Sequence, residues 1–327
     1  MWNESVKRFV AKHSPLFILA AICIVFAVVS PPFRTSNNLQ QVLARTTFVG
    51  VLAIGELLVI LTAGIDLSVG SVAALAGMVG CMCMKAAGLE SIFGENATVL
   101  LFLGIVAGTA TGLTCGAVNG ALVAKGRIPP FIVTLGMMMI ARGAARLLSG
   151  GQNVSDLPKA FAWLGGSRAW WFPVAITLVI TGAGAIVLAF ARFGRYLYAV
   201  GGNREAARLS GLPVDRVRIA AYAISGTLAG FGGMVLASRT MIGSPNAAEM
   251  SELDAIAACV IGGASLMGGE GGALTALAGA LIMAVLTNFC ILMGLNDNWQ
   301  RVLIGSLIIV LVFYDNLRKR RAGLLKE

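Results

Sequence analysis

The chain has 327 residues, of which 57% are hydrophobic and only 12% charged, and its formal net charge is +10. Soluble domains carry about 25% charged residues, so this composition excludes a protein whose whole surface faces water. A membrane-crossing helix needs roughly 20 apolar residues, which gives room for about ten spans in a single domain, 1–327, and none for a soluble catalytic domain beside them.

Taken in order, the spans are expected near 15–30, 46–63, 67–86, 97–124, 131–148, 170–190, 217–238, 253–267, 272–294 and 300–316. Lys7, Arg8 and Lys12 before Leu16–Val29 resemble the start of a signal peptide. The segment is nevertheless expected to stay as a first helix, because the rest of the chain is also apolar. Basic residues flanking spans mark the cytoplasmic side. They place both termini there, together with Lys125, Arg127, the arginines of 192–218 and the tail "LRKRR" at 317–321. Glu90, Glu95, Asp156, Glu249 and Glu252 fall opposite, alongside Arg34, Arg168 and Arg239. This placement gives the positive charge an orienting role and argues against nucleic acid as a partner. Cys23, Cys81, Cys83, Cys115, Cys259 and Cys290 lie in or beside apolar runs and read as small buried hydrophobes. Cys81 and Cys83 resemble a soft-metal pair, but the only histidine, His13, is far away in sequence, so no metal site is expected.

Residues 46–86 contain no obvious loop, yet as one helix they would reach about 60 Å. The chain must break, and "AGID" places the break at Gly64 with Asp66 beside it. Residues 253–294 repeat the pattern, with "GGEGG" at 268–272 and Glu270 as the acid. "SVAALAG" (71–77) comes after the first break and "GALTALAG" (272–279) after the second. Paired interruptions in two halves point to internal pseudo-symmetry with a pathway between the repeats. A charge at the bilayer centre costs roughly 2.5–3.5 kcal/mol on insertion scales, so Asp66 needs partners. It is placed to cap a helix starting at Leu67, accepting from the amide of Ser68 or Val69; a gating contact and contact with cargo are the alternatives. Glu56, ten residues earlier, need not share its face. Glu252 and Asp254 begin a span where acids favour the helix dipole, and Arg142 and Arg146 reach outward to the interface. The small residues of 108–126 and 225–238 suit close helix packing.

The stretch "YAVGGNREAARLSGLPVDRVR" (198–218) reads as a short basic helix outside the membrane. Asn203 is its N-cap, Glu205 lies in its first turn, and Gly211 and Pro213 end it. Together with "GIDLSVGS" (64–71), "IPPFIVTLG" (128–136) and "ELDAIAACVIGGASLMGGEGG" (252–272), "GGNREAARLSG" (201–211) resembles the permease subunits of bacterial ribose, xylose and arabinose ABC importers, over roughly 40–315. Glu205, Ala206, Ala207 and Gly211 also resemble the loop that contacts the ATPase in such importers. The resemblance implies an all-α fold shared with vitamin-B12 importers, built as two pseudo-symmetric halves in the inner membrane. It makes 203–213 the coupling helix, with Asn203, Arg204 and Arg208 beside the four residues just named. It further implies a second permease chain, a cytoplasmic ATPase holding ATP and Mg, and a periplasmic sugar-binding protein. No G-x-x-x-x-G-K-[ST] occurs, so no cofactor is expected on this chain itself.

A neutral polyol needs hydrogen-bonding groups along its path. Ser68, Ser71, Asn119, Thr134 and Asn288 are the candidates, with Phe131 as an apolar gate and Gly64, Asp66 and Glu270 at the hinges. An ion-coupled secondary transporter is the alternative class; such proteins place ionisable residues inside spans as relays, and few occur here.

Overall fold

Helices dominate the computed structural model, which describes residues 4–85, 97–296, 298–303, 305–306, 309–310 and 313. The acids Glu90 and Glu95, the tail at 317–321 and much of the final expected span lie outside the described residues. Helix α1 runs Glu4–Val29 and continues through Pro15, so the basic N-terminal stretch is helical rather than a preceding tail. A 3₁₀ turn, Pro31–Arg34, leads to α2, Ser36–Leu61. This helix starts ten residues before the expected span because Thr35 caps it, its hydroxyl accepting from the Asn38 amide at 3.3 Å. Then come α3 (Val69–Met84), α4 (Ala97–Ala124), α5 (Pro130–Ser149) and α6 (Trp171–Phe190). Outside the span-length helices, α7 (Arg192–Gly202) and α8 (Arg204–Leu209) precede α9 (Val214–Thr240). The last named elements are α10 (Ser251–Ile261) and α11 (Ala273–Leu292). Among the described residues the only β pairing is a single bridge between Val154 and Gly243.

Helix content agrees with an all-α membrane protein, but length does not make every expected span a full crossing. Among the described residues, α2, α4, α5, α6, α9 and α11 are long and apolar enough. The apolar helix α3 is shorter, at about 24 Å by its rise, and α10 reaches only about 16 Å. The eighth expected span therefore ends early, at Gly262, and Gly263 comes next at φ 86°.

The core is built around α2, whose second half from Val51 to Leu61 is buried throughout. Helix α9 lies against it, with Ser225 beside Gly55 and Tyr222 beside Gly64. Helices α4 and α9 pack backbone against backbone, and the sequence explains why. A Cβ on Gly116 would overlap the Tyr222 carbonyl and sit 2.9 Å from the Gly226 Cα; one on Gly112 would sit 2.7 Å from the Gly230 Cα. The two small-residue strings are each other's partners, and their backbones touch because no side chain stands between them. By contrast, α5 and α6 leave Met139, Ile140, Leu147, Val179 and Phe190 exposed, a surface for lipid or another chain.

Candidate functional site

Both predicted interruptions exist. The first spans 62–68; the second is longer than "GGEGG" and spans 262–272. In the first, the residue in the left-handed region is Ala63 at φ 56°, not Gly64. Such a conformation costs of order 1–3 kcal/mol in a residue with a side chain and persists only when the surroundings hold it. Gly64 is needed for another reason: a Cβ there would lie 2.6 Å from the Tyr222 hydroxyl.

The surroundings that hold this break are polar and buried. Asp66 is 1% exposed, and its Oδ1 accepts from the Ser68 amide at 2.9 Å and the Ser68 hydroxyl at 2.6 Å. The cap is thus a local turn closed on Ser68, and the helix begins at Val69 rather than Leu67. The Asp66 amide donates to Glu56 Oε1 at 3.0 Å, so two acids that sequence spacing gave no reason to place on one face are brought together. A spacing of ten residues along one helix would separate them; the chain reversal after Leu61 does not.

Three other helices close around the turn. Asn119 of α4 donates from Nδ2 to the Ser68 hydroxyl at 2.9 Å. Thr134 of α5 donates to the Ile65 carbonyl at 3.3 Å and to Pro130 at 3.0 Å. Ser71 donates to the Ser68 carbonyl at 3.1 Å. Four of the five path candidates, Ser68, Ser71, Asn119 and Thr134, therefore converge on the break and are engaged within the protein. Tyr222 and Ser225 of α9 complete the site from the side that sequence spacing gave no reason to include. Buried atoms without a hydrogen-bond partner cluster here: Glu56 Oε2, Asn119 Oδ1, Tyr222 Oη and Ser225 Oγ. Among the described residues, neither carboxylate is within ion-pairing distance of a basic side chain.

The remaining candidates lie elsewhere. Asn288 of α11 exchanges amide hydrogen bonds with Asn38, at 2.7 and 3.0 Å, in a closed reciprocal pair. Phe131 is 55% exposed at the start of α5. Glu270 is exposed, unlike Asp66, and its carbonyl accepts from the Ser265 amide at 3.0 Å. The two acids are not equivalent, but the two breaks do meet. The Gly269 amide donates to the Leu61 carbonyl at 3.1 Å. Gly201, at the end of α7, packs against both partners of that bond, since a Cβ there would overlap the Leu61 carbonyl and lie 2.6 Å from the Gly269 nitrogen.

Beyond Gly201 the chain leaves this junction. Asn203 caps α8, its side chain accepting from the Ala206 amide at 2.9 Å, with Glu205 in the first turn. The helix is one of two in this stretch, α7 being the other, and it ends by Ser210, with Gly211 next at φ 78°. Ala207 is buried, while Arg204, Glu205, Ala206, Arg208 and Leu209 are exposed. Arg208 pairs with Asp215 at 3.3 Å, and Leu209 is 81% exposed at the tip.

Comparison with known proteins agrees over nearly the whole chain. The family described as "Branched-chain amino acid transport system / permease component" matches residues 38–312. The chain is 37% identical over 319 residues to the ribose import permease protein of Escherichia coli (strain K12), covering 96% of both. It is 33% identical to the xylose transport system permease protein of the same organism, covering 89% of this chain and 87% of that one. It is 34% identical to the L-arabinose ABC transporter permease protein of Azospirillum brasilense, over 94% and 89%. No solved structure matches it.

Proposed function

This chain belongs to the family of branched-chain amino acid transport system permease components, and we propose that it is the membrane-spanning subunit of an ATP-driven importer that passes a monosaccharide or related polyol. The observation that carries the reading is near-full-length similarity to permeases named for ribose, xylose and L-arabinose. It is a transport subunit rather than an enzyme, a multi-pass protein of the inner membrane, and ATP hydrolysis belongs to a separate chain.

In the finer reading, ten helices in the arrangement of vitamin-B12 importers form two pseudo-symmetric halves, with both termini cytoplasmic and a second permease chain completing the path. Two parallels favour such halves. Each break leads into a similar string, and the glycine ending each string makes a close backbone approach: Gly77 to Gly233, and Gly279 to Ala258. The exposed helix α8, with Arg204, Glu205, Arg208 and Leu209, is the surface that docks into the ATPase. Its push reaches the membrane through Asn203 and Gly201, which is in van der Waals contact with both breaks. The polar cluster at Asp66 holds the first break in shape while the helices move.

The test is reconstitution of this chain in proteoliposomes with its ATPase and its periplasmic binding protein. Labelled ribose, xylose and arabinose are supplied in turn. Uptake that requires ATP, the ATPase and the binding protein is expected. Uptake by this chain alone, driven by a proton or sodium gradient, refutes the importer and favours an ion-coupled secondary transporter.

A further inference from the structure

Helix α5 and the segment 245–252 line a half-open pocket of about 410 Å³, apart from the Asp66 cluster. Ligand sites commonly fall between about 300 and 1,000 Å³. Its polar lining is Arg142, Arg146, Asn246, Glu249 and Glu252, and methionines 138, 139 and 250 supply the apolar part. From this lining we infer that the pocket is a binding site for a neutral polyol, a station for the cargo of the importer proposed above and dependent on that reading.

Three features make this a built site rather than a surface dent. First, Arg142 does not extend to the interface, as the sequence suggests. Its Nη1 donates to the Pro245 carbonyl at 2.9 Å and to Ala247 at 2.7 Å, fixing the loop opposite. Second, that loop is strained: Ala248 and Met250 have φ values of 54° and 65°. Non-glycine residues held this way cluster at ligand clamps, where the surrounding contacts over-determine them. Third, the floor is a buried acid. Glu252 is 8% exposed, its Oε2 has no hydrogen-bond partner, and a Cβ on Gly70 would overlap that oxygen. The pocket floor therefore touches the first turn of α3, two residues after the Ser68 that the Asp66 turn holds.

The chemistry suits a sugar more than an ion. Two guanidinium groups and two carboxylates balance in charge, so the pocket favours neither a cation nor an anion. Arg146 Nε donates to Asn246 Oδ1 at 3.1 Å. That bond orients the Asn246 amide and leaves its NH₂ and the rest of the guanidinium to donate, while Glu249 can only accept. Alternating donors and acceptors match hydroxyl groups, which do both. Methionine side chains adapt to the C–H faces of a ring, as they do in promiscuous sites.

Asn246 and Glu249 are exposed, so Asn246→Ala and Glu249→Gln test recognition with little risk to folding. Each variant is assembled with its ATPase and binding protein in proteoliposomes, and initial uptake is measured for D-ribose, D-xylose and L-arabinose. Size-exclusion chromatography checks that the complex is intact. The ratios of uptake among the three sugars are expected to change at least fivefold relative to the unmodified importer. Ratios within twofold of the unmodified importer overturn the pocket, as does an equal fractional loss for every sugar, which marks a docking or structural role. If the unmodified importer takes up none of the three, the importer reading falls and the pocket with it.

Discussion

Replacing Asp66 separates a structural acid from one that acts in transport. The Asp66→Leu side chain removes the Oδ1 acceptor and leaves the Ser68 amide unpaired in a site 1% exposed. The Ser68 hydroxyl loses its acceptor too, but keeps the bond it accepts from Asn119. An unpaired buried donor costs about 1–3 kcal/mol, so the two losses together come to about 2–6 kcal/mol. Asp66→Asn keeps Oδ1 for both donors. It exchanges charge-assisted bonds of about 1.5–3 kcal/mol for neutral ones of about 0.5–1.5 kcal/mol. Against that loss, it removes a charge from a buried site that has no cationic partner among the described residues. The Asn variant is therefore expected within about 1 kcal/mol of the wild type. The assay is heating of the detergent-solubilised protein followed by fluorescence-detected size exclusion, with uptake measured on the same preparations. Leu is expected to melt well below the wild type, and Asn to melt near it and transport. A Leu variant that melts with the wild type would refute the role assigned to the turn. An Asn variant that is intact but inactive would move Asp66 from scaffold to transport cycle.

Named contacts set two further outcomes. Gly116→Ala drives a Cβ into the Tyr222 carbonyl, so α4 and α9 must separate and the melting temperature should fall by several degrees. Gly182→Ala, in α6 with nothing within 4 Å, should leave it unchanged or raise it, since alanine favours helix by about 1 kcal/mol; equal effects at both sites would disprove the packing argument. Leu209→Asp alters an apolar tip that is 81% exposed. It should abolish co-purification of the ATPase while leaving thermal stability within a degree or so of wild type, and retained co-purification would remove α8 as the docking surface.

Much of this arrangement is legible in residue order because lipid imposes few solutions. Apolar length locates α4, α5, α6 and α11 to within a few residues, and the excess length of 46–86 demands a break. Asn203, Glu205 and Gly211 act where local capping chemistry places them, because a cap depends on neighbours in sequence. The hidden part depends on distant contacts. Glu56 and Asp66 meet only because the chain reverses between them. Tyr222 joins that cluster from a helix more than 150 positions away, with no local signal. Arg142 resembles an interfacial arginine because its partners are backbone carbonyls, which carry no residue identity. Asn288 looks like a path residue because an isolated Asn in an apolar run gives no hint that Asn38 completes it. Gly64 and Gly201 are informative as glycines, yet the reason for each is the neighbour it admits rather than an unusual φ.

The position of Gly201 bears on how a soluble motor could move buried helices. The helices that begin after the two breaks are α3 and α11. In the proposed coupling, a push on α8 would act on Asn203, and from there on Gly201, which packs against Leu61 and Gly269 where those two are hydrogen-bonded. Packed interiors respond to displacement by switching between discrete arrangements rather than by yielding gradually. A displacement of Gly201 would shift the end of α2 and the Gly269 end of the second interruption together. In the proposed coupling the Asp66 turn would carry the shift to α3, because Asp66 is bonded on one side to Glu56 of α2 and on the other to Ser68 at the α3 start. Coupling in this form needs no charge relay across the membrane. It needs only a rigid turn at one break, and at the junction a glycine with no side chain to hold the strands apart.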